Sequence, residues 1–118
     1  MIDQVLAGRS VLLVEDEVMI ALDVCQCFED AGASVVQAHN LKQALRAIRA
    51  NKLDAAVLDY KLDDGLSTEI CTHLENRKIP FVIHSGYDKI EGACEDSVKV
   101  QKPANPRELV QIVRGLLN

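Results

Sequence analysis

Five short apolar runs punctuate the chain: SVLLVE at 10–15, ASVVQA at 33–38, AAVLDY at 55–60, PFVIHS at 80–85 and SVKVQK at 97–102. The first, third and fourth are nearly continuous Val, Leu, Ile and Phe, the pattern of parallel strands buried on both faces. The second and fifth mix in polar residues, as edge or half-covered strands do. Between the runs the apolar period lengthens to that of a helix. Over 17–31 it selects Val18, Ala21, Leu22, Cys25 and Phe28, with Gly32 as the stop. Over 41–50 it selects Leu41, Ala44, Leu45 and Ile48 behind Asn40, a favourable N-cap. A third helix over 67–76 presents Ile70, Cys71 and Leu74. A last one opens with Asn105-Pro106 and buries Leu109, Ile112, Val113 and Leu116. The fourth interval, GYDKIEGACED, is polar and broken by Gly92, so it predicts a short or irregular helix. Strand and helix alternating in this way predict an α/β fold, a parallel sheet covered on both faces. Ligands of such sheets bind beyond the carboxyl ends of the strands.

Composition narrows the classes. A chain of 118 residues, 48% of them hydrophobic, makes one domain over 1–118 whose core needs neither disulfide nor metal to hold it. A net charge of −5 disfavours nucleic acid or an anionic membrane as partner. Cys25, Cys27, Cys71 and Cys94 show no metal-ligand or redox-motif spacing and read as small packed hydrophobes. With no leader segment and no apolar run of spanning length, the chain reads as a soluble, reduced, cytoplasmic protein. No glycine-rich loop follows the first strand, which disfavours a nucleotide site.

The strand ends carry the chemistry. The first ends in Glu15-Asp16, the third in Asp59, the fourth in Ser85-Gly86 and the fifth in Lys102-Pro103. Each is unremarkable alone: an acidic pair caps a helix, an aspartate makes a turn, a lysine sits in water. Together, on neighbouring strands, they bring three carboxylates, a hydroxyl and an ammonium to one rim. Like charges about 4 Å apart repel by about 4 kcal/mol at an effective dielectric of about 20. Such a site holds a cation or a proton, and oxygen ligands of this kind suit Mg²⁺. Asp59 is then an oxygen nucleophile for phosphorus, Lys102 and the Ser85 hydroxyl contact phosphate oxygens, and Gly86 leaves room for the approach.

With these residues in place, the chain resembles the receiver domain of two-component response regulators across essentially its whole length. VLLVEDE matches the acidic signature after the first strand, AAVLDYKLDDG the phosphoacceptor segment, Ser85 the switch hydroxyl, and Lys102-Pro103 the lysine-proline pair. The resemblance implies a doubly wound, flavodoxin-like (βα)5 fold and phosphorylation of Asp59 by a histidine kinase or histidine phosphotransfer protein. It also implies Mg²⁺ bound by Asp16, Asp59 and the Lys61 carbonyl, and by Glu15 through water. The output would be an altered contact with an unidentified downstream protein.

Three departures stand out. Lys99 occupies the position of the family's switching aromatic, three residues before the lysine. The interval from Ser85 to Lys102 is short. FVIHSGYD partly resembles the subgroup termed FAT GUY regulators, which also lacks that aromatic, and makes Tyr87 a candidate substitute. His84 reads as a buried, satisfied histidine, Lys61 as a solvated lysine with an effect on phosphoryl lifetime as its alternative, and Asp64 or Ser67 as the cap of the third helix. Two competing functions remain: a phosphorylation-independent interaction module on the same fold, and a small Mg²⁺-dependent phosphohydrolase.

Overall fold

The computed structural model of the protein describes residues 4–86, 94 and 97–118. The elements run β1 (Ser10–Val14), α1 (Val18–Asp30), β2 (Ser34–Ala38), α2 (Leu41–Ala50), β3 (Ala55–Leu58), β4 (Lys61–Leu62), β5 (Gly65–Leu66), α3 (Thr68–Asn76), β6 (Phe81–Ser85), β7 (Val98–Gln101) and α4 (Pro106–Leu117). Five strands form one parallel sheet in the order β2-β1-β3-β6-β7. The three continuous apolar runs are its central strands and the two mixed runs its edges, as expected. The fourth interval lies outside the described residues except for Gly86 and Cys94.

Alternation along the central strands divides the core between two faces. Leu12, Val14, Ala56, Leu58, Phe81 and Ile83 point to the side covered by α2 and α3. Val11, Leu13, Ala55, Val57 and Val82 point to the side covered by α1 and α4. Burying apolar residues on both faces makes the sheet doubly wound, because a crossover helix must return on one side or the other.

The helices follow their signals closely, with four corrections. In α1 the buried stripe is Ala21, Val24, Cys25 and Phe28. Val18 and Leu22, expected inside, are 64% and 56% exposed, because the stripe facing the sheet lies one position round the helix. In α4 the stripe likewise shifts to Leu109, Val110 and Val113, with Ile112 and Leu116 half-buried. Ser67 precedes α3 without a side-chain capping bond. Asp64 caps α2 instead: its carboxylate accepts from the backbone N–H of Leu41 at 2.7 Å and of Lys42 at 3.3 Å. These bonds, and the positive end of the helix, hold the Asp64 carboxyl below its usual range.

Asn40 caps α2 as predicted, its Oδ1 accepting from Gln43 N–H at 2.8 Å. Asn40→Ala is expected to cost about 1 kcal/mol in a urea titration, with the slope unchanged. Gly32 follows α1 at φ +95°, and a Cβ there would lie 3.0 Å from the Ala7 Cα, so only glycine makes this stop without strain.

The cysteines need the fourth correction. Cys25 and Cys27 are free, as expected, but Cys71 and Cys94 are joined as a disulfide across 23 residues. Their spacing gave no sign of it, since the pair meets only when α3 comes beside the residues that precede β7.

Candidate functional site

Backbone pairing aligns the chemistry. Val14 and Leu58 are register partners at the ends of β1 and β3, so the next residues, Glu15 and Asp59, leave the sheet side by side. Glu15 N–H donates to Ala38 O at 3.0 Å and Asp59 N–H to Val14 O at 2.9 Å, which extends the ladder by one residue on each strand. Across the sheet, Lys102 N–H donates to Ser85 O at 3.0 Å, fixing the lysine backbone against the end of β6. The Lys102–Pro103 peptide is cis.

Lys102 joins the acids. Its Nζ lies 2.8 Å from Glu15 Oε1, 3.1 Å from Asp59 Oδ2 and 3.9 Å from Glu17 Oε1. Glu15 and Asp59 are both buried, at 2% and 7% exposure, so their charges are poorly hydrated and depend on the lysine. Burial, reinforced by the Asp59 charge, pushes the Glu15 carboxyl up to about 7 against the pull of Lys102 and the Glu17 N–H. Burial opposes the Lys102 charge too, but the Glu15 and Asp59 carboxylates outweigh it and hold the ammonium above its ordinary value. Around this group opens a cavity of about 510 Å³ lined by Asp16, Glu17, Asp59, Lys61, Leu62, Asp63, Gly86 and Lys102. The carboxylates of Glu15, Asp16 and Glu17 also lie within 4.8 Å of one another, a hard oxygen set fit for a divalent cation.

A profile of the response regulator receiver domain matches residues 11–114. The chain belongs to the response regulator receiver domain family. This receiver is 32% identical over 116 residues to the response regulator SaeR of Staphylococcus aureus, covering 90% of the chain and 50% of SaeR. It is 28% identical over 123 residues to the phosphate regulon transcriptional regulatory protein PhoB of Pseudomonas aeruginosa, covering 95% of the chain and 53% of PhoB. The chain thus spans about half the length of these curated relatives. A CheY-like receiver domain protein from Methanospirillum hungatei superimposes with a TM-score of 0.83 at 26% identity, over 92% of this chain and 93% of that one. The fold expected from the alternation of elements is therefore the receiver fold.

Within the receiver, Glu15, Asp59 and Lys102 meet directly, and Asp16, Lys61 and Gly86 border the same cavity. Ser85 is buried at 2% exposure on the last position of β6. Lys99 stands apart from this cavity on the edge strand, its Nζ donating to Ser97 O at 3.2 Å. Pro103 is exposed and does not border the cavity. Tyr87 lies outside the described residues.

Glu17 and Ser67 have roles the sequence did not show, and His84 departs in part from its expected one. Glu17 is the third acid of a run already in view, EDE, and faces the cavity rather than only starting the helix. Ser67, fully buried, donates its Oγ hydrogen to the Asp59 carbonyl, a contact across eight residues with no local signal. His84 is buried as expected, but its Nε2 has no hydrogen-bond partner among the described residues. Burial and then the Lys102 charge hold the His84 imidazole below its ordinary pKa, hence neutral.

Glu15 makes the receiver's stability depend on pH in an unusual direction. Its folded value, about 7, lies above the ordinary 4.5, so the folded chain retains a proton that the unfolded chain releases. Stability from this group is full below 4.5 and is lost as pH rises to 7, at up to about 1.4 kcal/mol per pH unit in metal-free solution. Urea midpoints across that window check it, and Glu15→Gln should flatten the slope. Divalent-cation affinity should rise over the same window, because the proton must leave first.

Proposed function

We propose that Asp59 is the phosphoacceptor of this receiver and that a histidine kinase or histidine phosphotransfer protein is the donor. One observation carries the proposal: a carboxylate almost fully buried at a strand tip still borders an open polar cavity, with an ammonium 3.1 Å from its Oδ2. A carboxylate kept only for stability has no need of the cavity. An Asp59 oxygen attacks phosphorus, the bond from phosphorus to the histidine nitrogen breaks, and the electron pair leaves on the imidazole.

The donor set of Asp16, Asp59, Glu15 and the Lys61 carbonyl fits Mg²⁺, which when bound supplies positive charge to the transferring phosphoryl oxygens. The chain's own residues do the rest. Lys102 holds Asp59 in place and offers Nζ to the phosphate. Ser85, whose carbonyl fixes the Lys102 backbone, offers a hydroxyl to the same group. A shift at Ser85 and Lys102 then alters the surface around β7 and α4 that a downstream protein reads. A donor histidine protein working in the cytoplasm suits this reading. Among the described residues no helix is long and apolar enough to cross a membrane.

The test is intact mass after incubation with phosphoramidate or acetyl phosphate, with and without Mg²⁺. One added phosphoryl group that requires Mg²⁺ is expected. Lys99 at the place of the switching aromatic favours the second reading, a module that binds partners without phosphate. Absence of both phosphoryl uptake and any amide shift with beryllofluoride would establish that reading instead.

A further inference from the structure

We propose that Cys71 and Cys94 form a reversible redox modification site whose state is transmitted to Asp59 through Ser67. The proposal rests on the reading of Asp59 as phosphoacceptor only for what the site regulates.

The pair is placed for it. Cys71 lies in α3 and Cys94 just before β7, both fully buried, with their Cα atoms 5.5 Å apart. Ser67 connects them to the phosphoacceptor. Its carbonyl accepts from Cys71 N–H at 2.9 Å and lies 3.5 Å from Cys94 Sγ. Its hydroxyl donates to the Asp59 carbonyl, and its N–H donates to Tyr60 O at 2.8 Å. A second route runs through β7: the Cys94 carbonyl accepts from Ser97 N–H, and the last residue of β7, Gln101, precedes Lys102.

Opening the disulfide changes the hydrogen bonding at Ser67. A thiol at Cys94 has a hydrogen to donate to the Ser67 carbonyl, whereas a disulfide sulfur has none. The core does not hang on the bond alone, because two apolar clusters cover both faces of the sheet and Cys71 and Cys94 are only two members of one of them. Cys25 and Cys27 stay free, so the chain is not a disulfide-built scaffold. A bond on which the core does not hang alone, one residue's hydrogen bonds from Asp59, fits a regulatory site better than a staple.

The chemistry is thiol–disulfide exchange with a low-molecular-weight disulfide of the glutathione type, after a local opening that exposes one of the two buried sulfurs. Its S–S bond breaks as the Cys71–Cys94 bond forms. The two electrons and two protons of the protein thiols leave on the two small thiols produced.

The full chain, uniformly labelled with ¹⁵N, is cycled between dithiothreitol and glutathione disulfide without denaturant, then alkylated in denaturant and weighed. Oxidised chain should take two alkyl groups, on Cys25 and Cys27, and reduced chain four. The amide resonances of Asp59, Tyr60 and Ser67 should move reversibly between the states, and the lifetime of the Asp59 phosphoryl group should change severalfold. In Ser67→Ala the disulfide should still cycle while the shift at Asp59 collapses. Four alkyl groups after oxidant, two after reductant, or shifts confined to the neighbours of Cys71 and Cys94 would each overturn the proposal. Phosphoryl uptake failing in both redox states would overturn the reading of Asp59 instead, with the alkylation and the amide shifts still deciding the redox site.

Discussion

Asp59→Asn is expected to take up no phosphoryl group from phosphoramidate with Mg²⁺, while the fold survives. The amide has nearly the shape of the carboxylate but lacks the anionic oxygen that attacks phosphorus. Backbone pairing of Asp59 N–H with Val14 O and the Ser67 bond to its carbonyl do not involve the side chain, so the strand tip stays in place. Lys102 keeps its 2.8 Å partner in Glu15. Removing the Asp59 charge also removes one cause of the raised Glu15 value, so Glu15 should titrate lower in this variant. Intact mass reads the first effect, and the pH dependence of the urea midpoint reads the second. Phosphate on Asp59→Asn would move the acceptor to another acid of the cavity, Asp63 or Glu17.

The same variant separates the reading from a phosphohydrolase. A hydrolase turns over a small phosphate ester many times and needs a second acid to protonate the leaving group. Asp16, Glu17 and Asp63 border the cavity, but the first two belong to the cation-fit acidic run and Asp63 to the exposed turn between β4 and β5. Steady release of phosphate by the wild-type chain, lost in Asp59→Asn, would favour the hydrolase. A single stoichiometric uptake favours the switch.

What the chain revealed in advance was what is encoded locally or by simple topology. Continuous apolar runs marked β1, β3 and β6 because burial on both faces leaves no polar positions. The acids and the lysine were visible because a parallel sheet sends every strand end to the same rim, which brings Glu15, Asp59 and Lys102 together whatever their side-chain conformations. Contacts that join distant segments at angles no periodicity encodes stayed hidden. Asp64 looked like a cap for the helix that follows it and instead caps α2, 23 residues back at Leu41. Ser67 looked like a cap and is a tether for Asp59. Cys71 and Cys94 looked like packing. The face of α1 was misjudged by one position because Val18 and Leu22 are as apolar as Val24, and only the packing partner decides which of them is buried.

Lys102→Ala should be the most destabilising change at the site. It removes the one cation among the described residues that bridges Glu15 and Asp59 and leaves two carboxylates facing each other with under 10% exposure each. Stranding buried charge in this way costs about 3–5 kcal/mol. The chain has a way to lessen it, because Glu15 already favours its protonated form. Proton uptake neutralises one acid, so the loss should be largest well above pH 7 and shrink well below it. Mg²⁺ should restore part of the stability at high pH by replacing the missing positive charge, and should stabilise the variant more than the wild type. Urea titrations of both proteins, at pH values on either side of 7 and with and without Mg²⁺, give all the comparisons. A loss independent of both pH and Mg²⁺ would mean that packing of the lysine stem, and not its charge, is what the site requires. If charge is the requirement, phosphoryl uptake by Lys102→Ala should persist with Mg²⁺ present, while the shift at Ser85 that follows it should weaken, because the ammonium linking the phosphate to β6 is gone.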